Sequence, residues 1–223
     1  MIIRDWPRDQ RPREKLINEG ANKLSDAELM AIILGSGTRG KSAVNLAQDL
    51  INTFGDMRAV LASDYEQLRE IKGLGPAKYA QLAAIKTIIQ RSLKARLKTE
   101  QLLNNPKSAT EFLSVAMRDY EHEVFACLFL NARNSLIRYE ELFTGSIDGA
   151  SIYPREVVKL VLQLNASKVI FAHNHPSGDC NPSQVDISVT KQLIKALALI
   201  DVQVVDHIIV GEKIFSMAEQ GML

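Results

Sequence analysis

Apolar residues recur along the first hundred positions with the spacing of helices. Near residue 120 they change to short continuous runs of the kind that buried strands make. Leu29, Ile32 and Ile33 mark one helical face, Val44, Leu46, Ala47, Leu50 and Ile51 a second, and Leu82, Ile85, Ile88 and Ile89 a third. Ser25-Asp26-Ala27-Glu28 and Ser63-Asp64-Tyr65-Glu66 match the capping box that starts helices, and Gly55 is placed to stop one. Residues 99–107, with Asn104-Asn105-Pro106, read as a linker. Beyond it the pattern predicts a buried strand at 123–130, a second strand near 135–144 and a helix at 154–164. A strand at 168–175, a helix at 183–199 and closing strands at 202–210 and 213–217 follow. This mixed order argues against a doubly wound parallel fold. It predicts an α+β chain, with an all-α domain over residues 1–100 and an α/β domain over residues 101–223.

Composition adds boundaries to this picture. The chain has 223 residues, of which 46% are apolar, enough for a real core. Its apolar runs fall short of the ~18 residues a membrane-spanning helix needs. The polar start, with Arg4, Asp5, Arg8, Asp9 and Arg11, does not read as a signal peptide. Two cysteines make no disulfide framework, so a cytoplasmic protein without a membrane partner is expected. Net charge is +1, but residues 1–100 carry 17 Lys/Arg against 12 Asp/Glu, and residues 101–223 carry 10 against 14. A modestly basic first half permits nucleic-acid contact without requiring it.

Two glycine-rich stretches bear on that contact. Ile71-Lys72-Gly73-Leu74-Gly75-Pro76-Ala77-Lys78-Tyr79-Ala80 resembles a helix-hairpin-helix motif. Gly73 and Gly75 allow a tight turn whose N–H groups face a phosphate, and Lys72 and Lys78 add charge. Such binding would be to DNA backbone and therefore non-specific; the competing reading is a turn used only for packing. Gly35-Ser36-Gly37-Thr38-Arg39-Gly40-Lys41-Ser42 has the letters of a phosphate-binding P-loop. That motif needs a strand before it. Here the preceding segment follows a capping box and reads as helix, which favours a plain turn between helices.

The sharpest chemistry lies at His173-Asn174-His175, followed by Ser183 and Asp186. Side chains two apart on a strand share a face, so both imidazoles can reach one ion. Asp186 falls in the first turn of the following helix and can point back at them. Two histidines and an aspartate are a ligand set of catalytic zinc, with a fourth position open for water. Ser183 and Asp186 also fit an ordinary helix N-cap.

These residues resemble the JAMM (MPN+) metalloprotease signature, H-[S/T]-H-x7-S-x2-D, with Asn174 where Ser or Thr is usual. The wider stretch AHNHPSGDCNPSQVD, with YPRE before it and DHIIVG after it, resembles the RadC family. That resemblance implies a helix-hairpin-helix region followed by a JAMM/MPN-like domain, a mixed sheet flanked by helices in a cytidine-deaminase-like arrangement. It implies Zn2+ held by His173, His175 and Asp186, and Ser183 helping to hold the tetrahedral intermediate. It also calls for an upstream glutamate as general base. Glu123, opening the 123–130 strand, is the better match, and Glu156 beside Pro154 is the competitor. Zinc lowers the pKa of bound water from about 15.7 to about 7, Glu123 would move the proton, and amide or isopeptide hydrolysis of a peptide or protein would follow. A zinc deaminase would need H-x-E and P-C-x-x-C, which Cys127 and Cys180 do not supply. Asp206-His207 interrupts the 202–210 strand, where His207 is either a core histidine or a support for a ligand. Three expectations therefore stand: a zinc peptidase or isopeptidase, a DNA-repair accessory protein with a structural or vestigial metal site, and a nucleotide hydrolase built on residues 35–42. Oligomeric state is left open.

Overall fold

The computed structural model describes residues 3–102, 105–145 and 152–223. Chain contacts divide it into two compact units, Met1–Ile88 and Ile89–Leu223. The division falls earlier than the expected boundary at residue 100. The reason is helix α6, which runs unbroken through Pro76–Thr99, with Leu93 and Leu97 of its second half packed in the core of the second unit.

The first unit is helical. It holds α1 (Pro12–Glu19), α2 (Asp26–Leu34), α3 (Ala43–Phe54), α4 (Met57–Ala62), α5 (Tyr65–Arg69) and the start of α6. Met30, Leu34, Leu46, Leu50, Leu68 and Leu82 form its core. Ser25 caps α2 as expected, accepting from Glu28 N at 3.3 Å. The second capping box is shifted by one residue from the expected Ser63 and Glu66. Asp64 caps α5 and pairs with Gln67, because the Ser63 hydroxyl donates to the Val60 carbonyl and closes α4.

The second unit begins with α7 (Pro106–Met117), a helix the linker reading overlooked. Pro106 starts it at N1, and Ala109, Phe112, Leu113 and Met117 form its buried stripe. Five strands follow: β1 (Val124–Leu130), β2 (Leu136–Thr144), β3 (Lys168–Asn174), β4 (Gln203–Val210) and β5 (Ile214–Ser216). They lie in the order β2-β1-β3-β4-β5, with β3 and β4 parallel and the other pairs antiparallel. Helix α8 (Pro154–Leu164) precedes β3 and α9 (Gln184–Ala198) precedes β4.

Helices cover both faces of this sheet. Val124, Ala126 and Leu128 pack with α7, while Phe125, Cys127 and Phe129 pack with Val157 and Val161 of α8 and Leu193 and Leu197 of α9. That explains why β1 is apolar throughout rather than alternating. One irregularity matters for the site. Val169 pairs with Val204 but Ile170 pairs with Asp206, so Val205 is an extra residue in β4. The bulge shifts the alternation by one and brings His207 to the face that carries α9. Asp206 anchors the bulge, accepting from His207 N at 2.7 Å, Ala218 N at 3.0 Å and the Ser216 hydroxyl at 2.6 Å.

On the other face, Tyr120 and Tyr139 both donate to Glu141 Oε1, at 2.9 and 3.0 Å. Burial and the Glu141 carboxylate push the Tyr120 phenol up from 10.0 to about 12, and Tyr139 rises for the same reasons. A group whose pKa is raised by folding adds its stability below the unfolded value and loses it as pH climbs through the folded one. Denaturant titrations should therefore show stability falling between pH ~10 and about 12, with a shallower fall in Tyr120→Phe.

Candidate metal centre

Strand β3, the residue just after it and helix α9 deliver the three suspected ligands to one place. His173 Nε2 lies 2.9 Å from His175 Nε2 and 3.2 Å from Asp186 Oδ1, and His175 Nε2 lies 3.7 Å from Asp186 Oδ2. The side chains of His173 and Asp186 are 0% and 1% exposed, and that of His175 is 13% exposed, so the cluster opens to solvent on the His175 side.

Asp186 does two tasks with its two oxygens. Oδ2 accepts from Ser183 N at 2.7 Å while the Ser183 hydroxyl accepts from Asp186 N at 3.1 Å, a capping box that starts α9. Oδ1 is buried and has no hydrogen-bond partner. The capping box thus engages Oδ2 and leaves Oδ1 free to face the His173 ring.

The residues fit a metal ion. An unpartnered buried carboxylate oxygen is costly. Two ring nitrogens at 2.9 Å repel unless a proton or cation lies between them. Separations of 2.9 to 3.7 Å suit ligands that each stand ~2.0–2.2 Å from one zinc. Each imidazole is also oriented from behind. His175 Nδ1 donates to the Asp179 carbonyl at 2.6 Å, and His173 Nδ1 faces His207 Nε2 at 2.8 Å. The nearby Asp186 carboxylate raises the His175 pKa against the effect of burial, with the Asp179 carbonyl and the Glu123 charge adding to it. Burial opposes ionisation of Asp186, but where the facing imidazoles carry protons they and Ser183 outweigh it and hold the carboxyl well below the usual range. Burial, reinforced by His173, holds His207 well below its ordinary value and therefore neutral.

The two glutamate candidates lie differently. Glu123 precedes β1, where Phe125 pairs with His173, and the same register carried two residues back sets Glu123 opposite His175. Glu123 and His173 line one small pocket with Phe125, Phe143 and Ile152. Glu156 instead sits in the first turn of α8, within 3.4 Å of Arg155 and 4.0 Å of Lys159. Ser183 is exposed beside Asp186. Its oxygen already accepts a hydrogen bond, which leaves the O–H as a free donor.

Three residues outside the expected set shape the site. Asn174, the departure from Ser or Thr, is buried; its Oδ1 accepts from Val124 N at 2.8 Å and its Nδ2 donates to the His122 carbonyl at 3.0 Å. It clamps the chain on both sides of Glu123. Gly211 meets the loop after His175 so closely that a Cβ would stand 2.4 Å from the Gly178 carbonyl oxygen. Thr190, one turn beyond Asp186 on α9, lies 2.6 Å from His207 Nδ1. Thr190 left no mark in the sequence, since a threonine inside an amphipathic helix has no distinctive pattern.

The helical unit behaves otherwise. Gly73 has φ +100°, and a Cβ there would stand 2.6 Å from the Thr38 side chain, so packing alone requires glycine. Lys78 donates to the Gly73 carbonyl at 2.9 Å and the Gly37 carbonyl at 3.4 Å. Lys72 and Gly75 are exposed. The stretch with P-loop letters follows helix α2 rather than a strand, and its Lys41 pairs with Asp49. A cavity of about 850 Å³ opens there, lined in part by Arg11, Arg13, Arg39 and Lys41, and contains none of the triad.

Two family models match successive parts of the chain. A family model described as RadC-like JAB domain matches residues 103–222, and one described as UPF0758 N-terminal matches residues 3–80. UPF0758 proteins of Thioalkalivibrio sulfidiphilus and Azotobacter vinelandii are each 50% identical to this chain, and one of Stutzerimonas stutzeri is 51% identical. Each alignment covers 100% of both chains. No described helix is long and apolar enough to cross a membrane.

Removing the Asn174 clamp should be felt in stability. Asn174→Ala strips the buried Val124 N–H of its acceptor, and urea denaturation should show a loss of about 1–3 kcal/mol.

Proposed function

This chain belongs to the UPF0758 family, with a RadC-like JAB domain behind its N-terminal region, and from that premise we propose that it is a zinc-dependent hydrolase of amide or isopeptide bonds. The observation that supports this reading is the convergence of His173, His175 and Asp186, with Asp186 Oδ1 buried and unpartnered. Zinc in that place would supply Lewis acidity and activate water near neutral pH.

The remaining steps belong to the chain. His173 and Asp186 are closed off from solvent, so a substrate carbonyl approaches from the His175 side. Glu123, opposite His175 in register, takes a proton from the attacking water onto its carboxylate and returns it to the leaving nitrogen. The Ser183 hydroxyl, whose oxygen is already committed to the helix cap, donates its hydrogen to the developing oxyanion. The Asn174 clamp holds the Glu123 backbone, so the base need not be ordered at the moment of reaction. Glu156, flanked by Arg155 and Lys159 on α8, takes no part.

Metal analysis of the purified protein should find about one zinc per chain, and His173→Ala or Asp186→Ala should abolish it. A peptide and isopeptide cleavage screen should show activity that a chelator removes. Glu123→Gln should keep the zinc and lower turnover ~10²–10⁴-fold. A wild-type protein that purifies without zinc and takes none up would overturn the reading.

A further inference from the structure

A histidine binds a metal through a lone pair, so each ligand ring must carry its proton on the nitrogen that faces away. For His173 that choice is made by a row of buried partners. His173 Nδ1 lies 2.8 Å from His207 Nε2, His207 Nδ1 lies 2.6 Å from Thr190 Oγ1, and Thr190 Oγ1 lies 2.6 Å from the Asp186 carbonyl oxygen. His173, His207 and Thr190 are exposed by only 0%, 1% and 2%, so solvent does not compete for these bonds.

The direction of the row follows from its far end. A carbonyl oxygen only accepts, so the Thr190 hydroxyl donates to Asp186 O. Thr190 Oγ1 is then an acceptor, and His207 must meet it with an N–H at Nδ1. A neutral imidazole has one such hydrogen, which leaves His207 Nε2 as a lone pair that accepts from His173 Nδ1–H. His173 Nε2 is left unprotonated, aimed at Asp186 Oδ1 and His175 Nε2. Were the Thr190 hydroxyl turned toward His207 instead, every bond would reverse and a proton would block the metal-facing nitrogen.

We propose that Thr190 and His207 are positioning residues that set the tautomer of His173 and so ready the site for a divalent cation. This rests on the metal-centre reading and extends it to two residues that touch no ligand position themselves. The device is anchored at both ends on Asp186. Its main-chain carbonyl fixes the first hydrogen bond, and its carboxylate oxygen would hold the ion together with the ring at the end of the row. The β4 bulge is what sets His207 between them.

The test compares the full-length wild type with Thr190→Val and Thr190→Ser. ¹⁵N chemical shifts of the histidine rings are recorded in chelator-treated protein, and zinc affinity is measured by competition with a fluorescent chelator. Wild type and Thr190→Ser should show His173 protonated at Nδ1. Thr190→Val, which keeps the shape but not the hydroxyl, should move that proton toward Nε2 and bind zinc ~10–100-fold more weakly. The proposal is overturned if Thr190→Val binds zinc like wild type, or if wild-type His173 carries its hydrogen on Nε2. The wild-type ring shifts decide the matter even where Thr190→Val does not fold. They also keep the two ideas apart: absence of zinc binding by the wild type sinks the metal centre, whereas a wrong tautomer sinks only the relay.

Discussion

Asp186 carries the constraint around which the second unit is organised. Its carboxylate is buried, ionised and divided between two duties. One oxygen starts helix α9 by accepting the Ser183 N–H, and the other faces the His173 imidazole with no hydrogen bond of its own. A buried charge needs compensation, and beyond the Ser183 N–H the surroundings offer it through the histidines and any cation they would share. Helix start and candidate metal site are therefore one feature. Loss of the carboxylate would loosen the first turn of α9 and leave Ser183 without its partner.

The sheet acts as the frame that makes this sharing accurate. Strand β1 is an interior strand, buried on both faces, and hydrogen-bonded to β2 and β3 on either side. Its register with β3 fixes Phe125 against His173, and Asn174 ties the segment before β1 to the strand that holds the ligands. The Gly178–Gly211 approach pins the loop after His175 against the turn that leaves β4. His173 is thus set by strand pairing, His175 by its N–H bond to the Val210 carbonyl and Asp186 by the cap of α9, so none of the three candidate ligands hangs on a free loop. The helical unit carries no comparable cluster among its described residues. Its hairpin turn uses Lys78 and Gly73 to hold itself together, which leaves Lys72 as the outward cation of that motif.

Much of this was legible in the linear chain. The period-two spacing of His173 and His175, and the first-turn position of Asp186, already placed three ligands near one point. The continuous apolar run of β1 announced a strand covered on both sides. What misled were features whose meaning depends on a neighbour. Ser63 and Asp64 both resemble caps, and which one acts depends on Ser63 closing the helix before it. Helix α7 has a clean apolar stripe at Ala109, Phe112, Leu113 and Met117, yet the preceding asparagines and proline drew the reading toward a linker. The domain boundary moved because nothing in the composition of α6 marks where its packing partner changes.

Alternation, capping and ligand spacing are local properties, set by residues a few positions apart, and from those the linear chain alone gave the strands, most of the longer helices and the clustering of His173, His175 and Asp186. Only the folded structure decided what lies behind the triad. Asn174 takes its role from Val124, fifty residues away, and His207 meets His173 because a single extra residue in β4 rotates it onto the right face. Thr190 acquires a purpose only through that meeting. The physical reason is that a side chain's hydrogen-bond partners across a sheet follow from register and bulges, which are settled by the packing of whole strands and leave no trace in the order of residues around them.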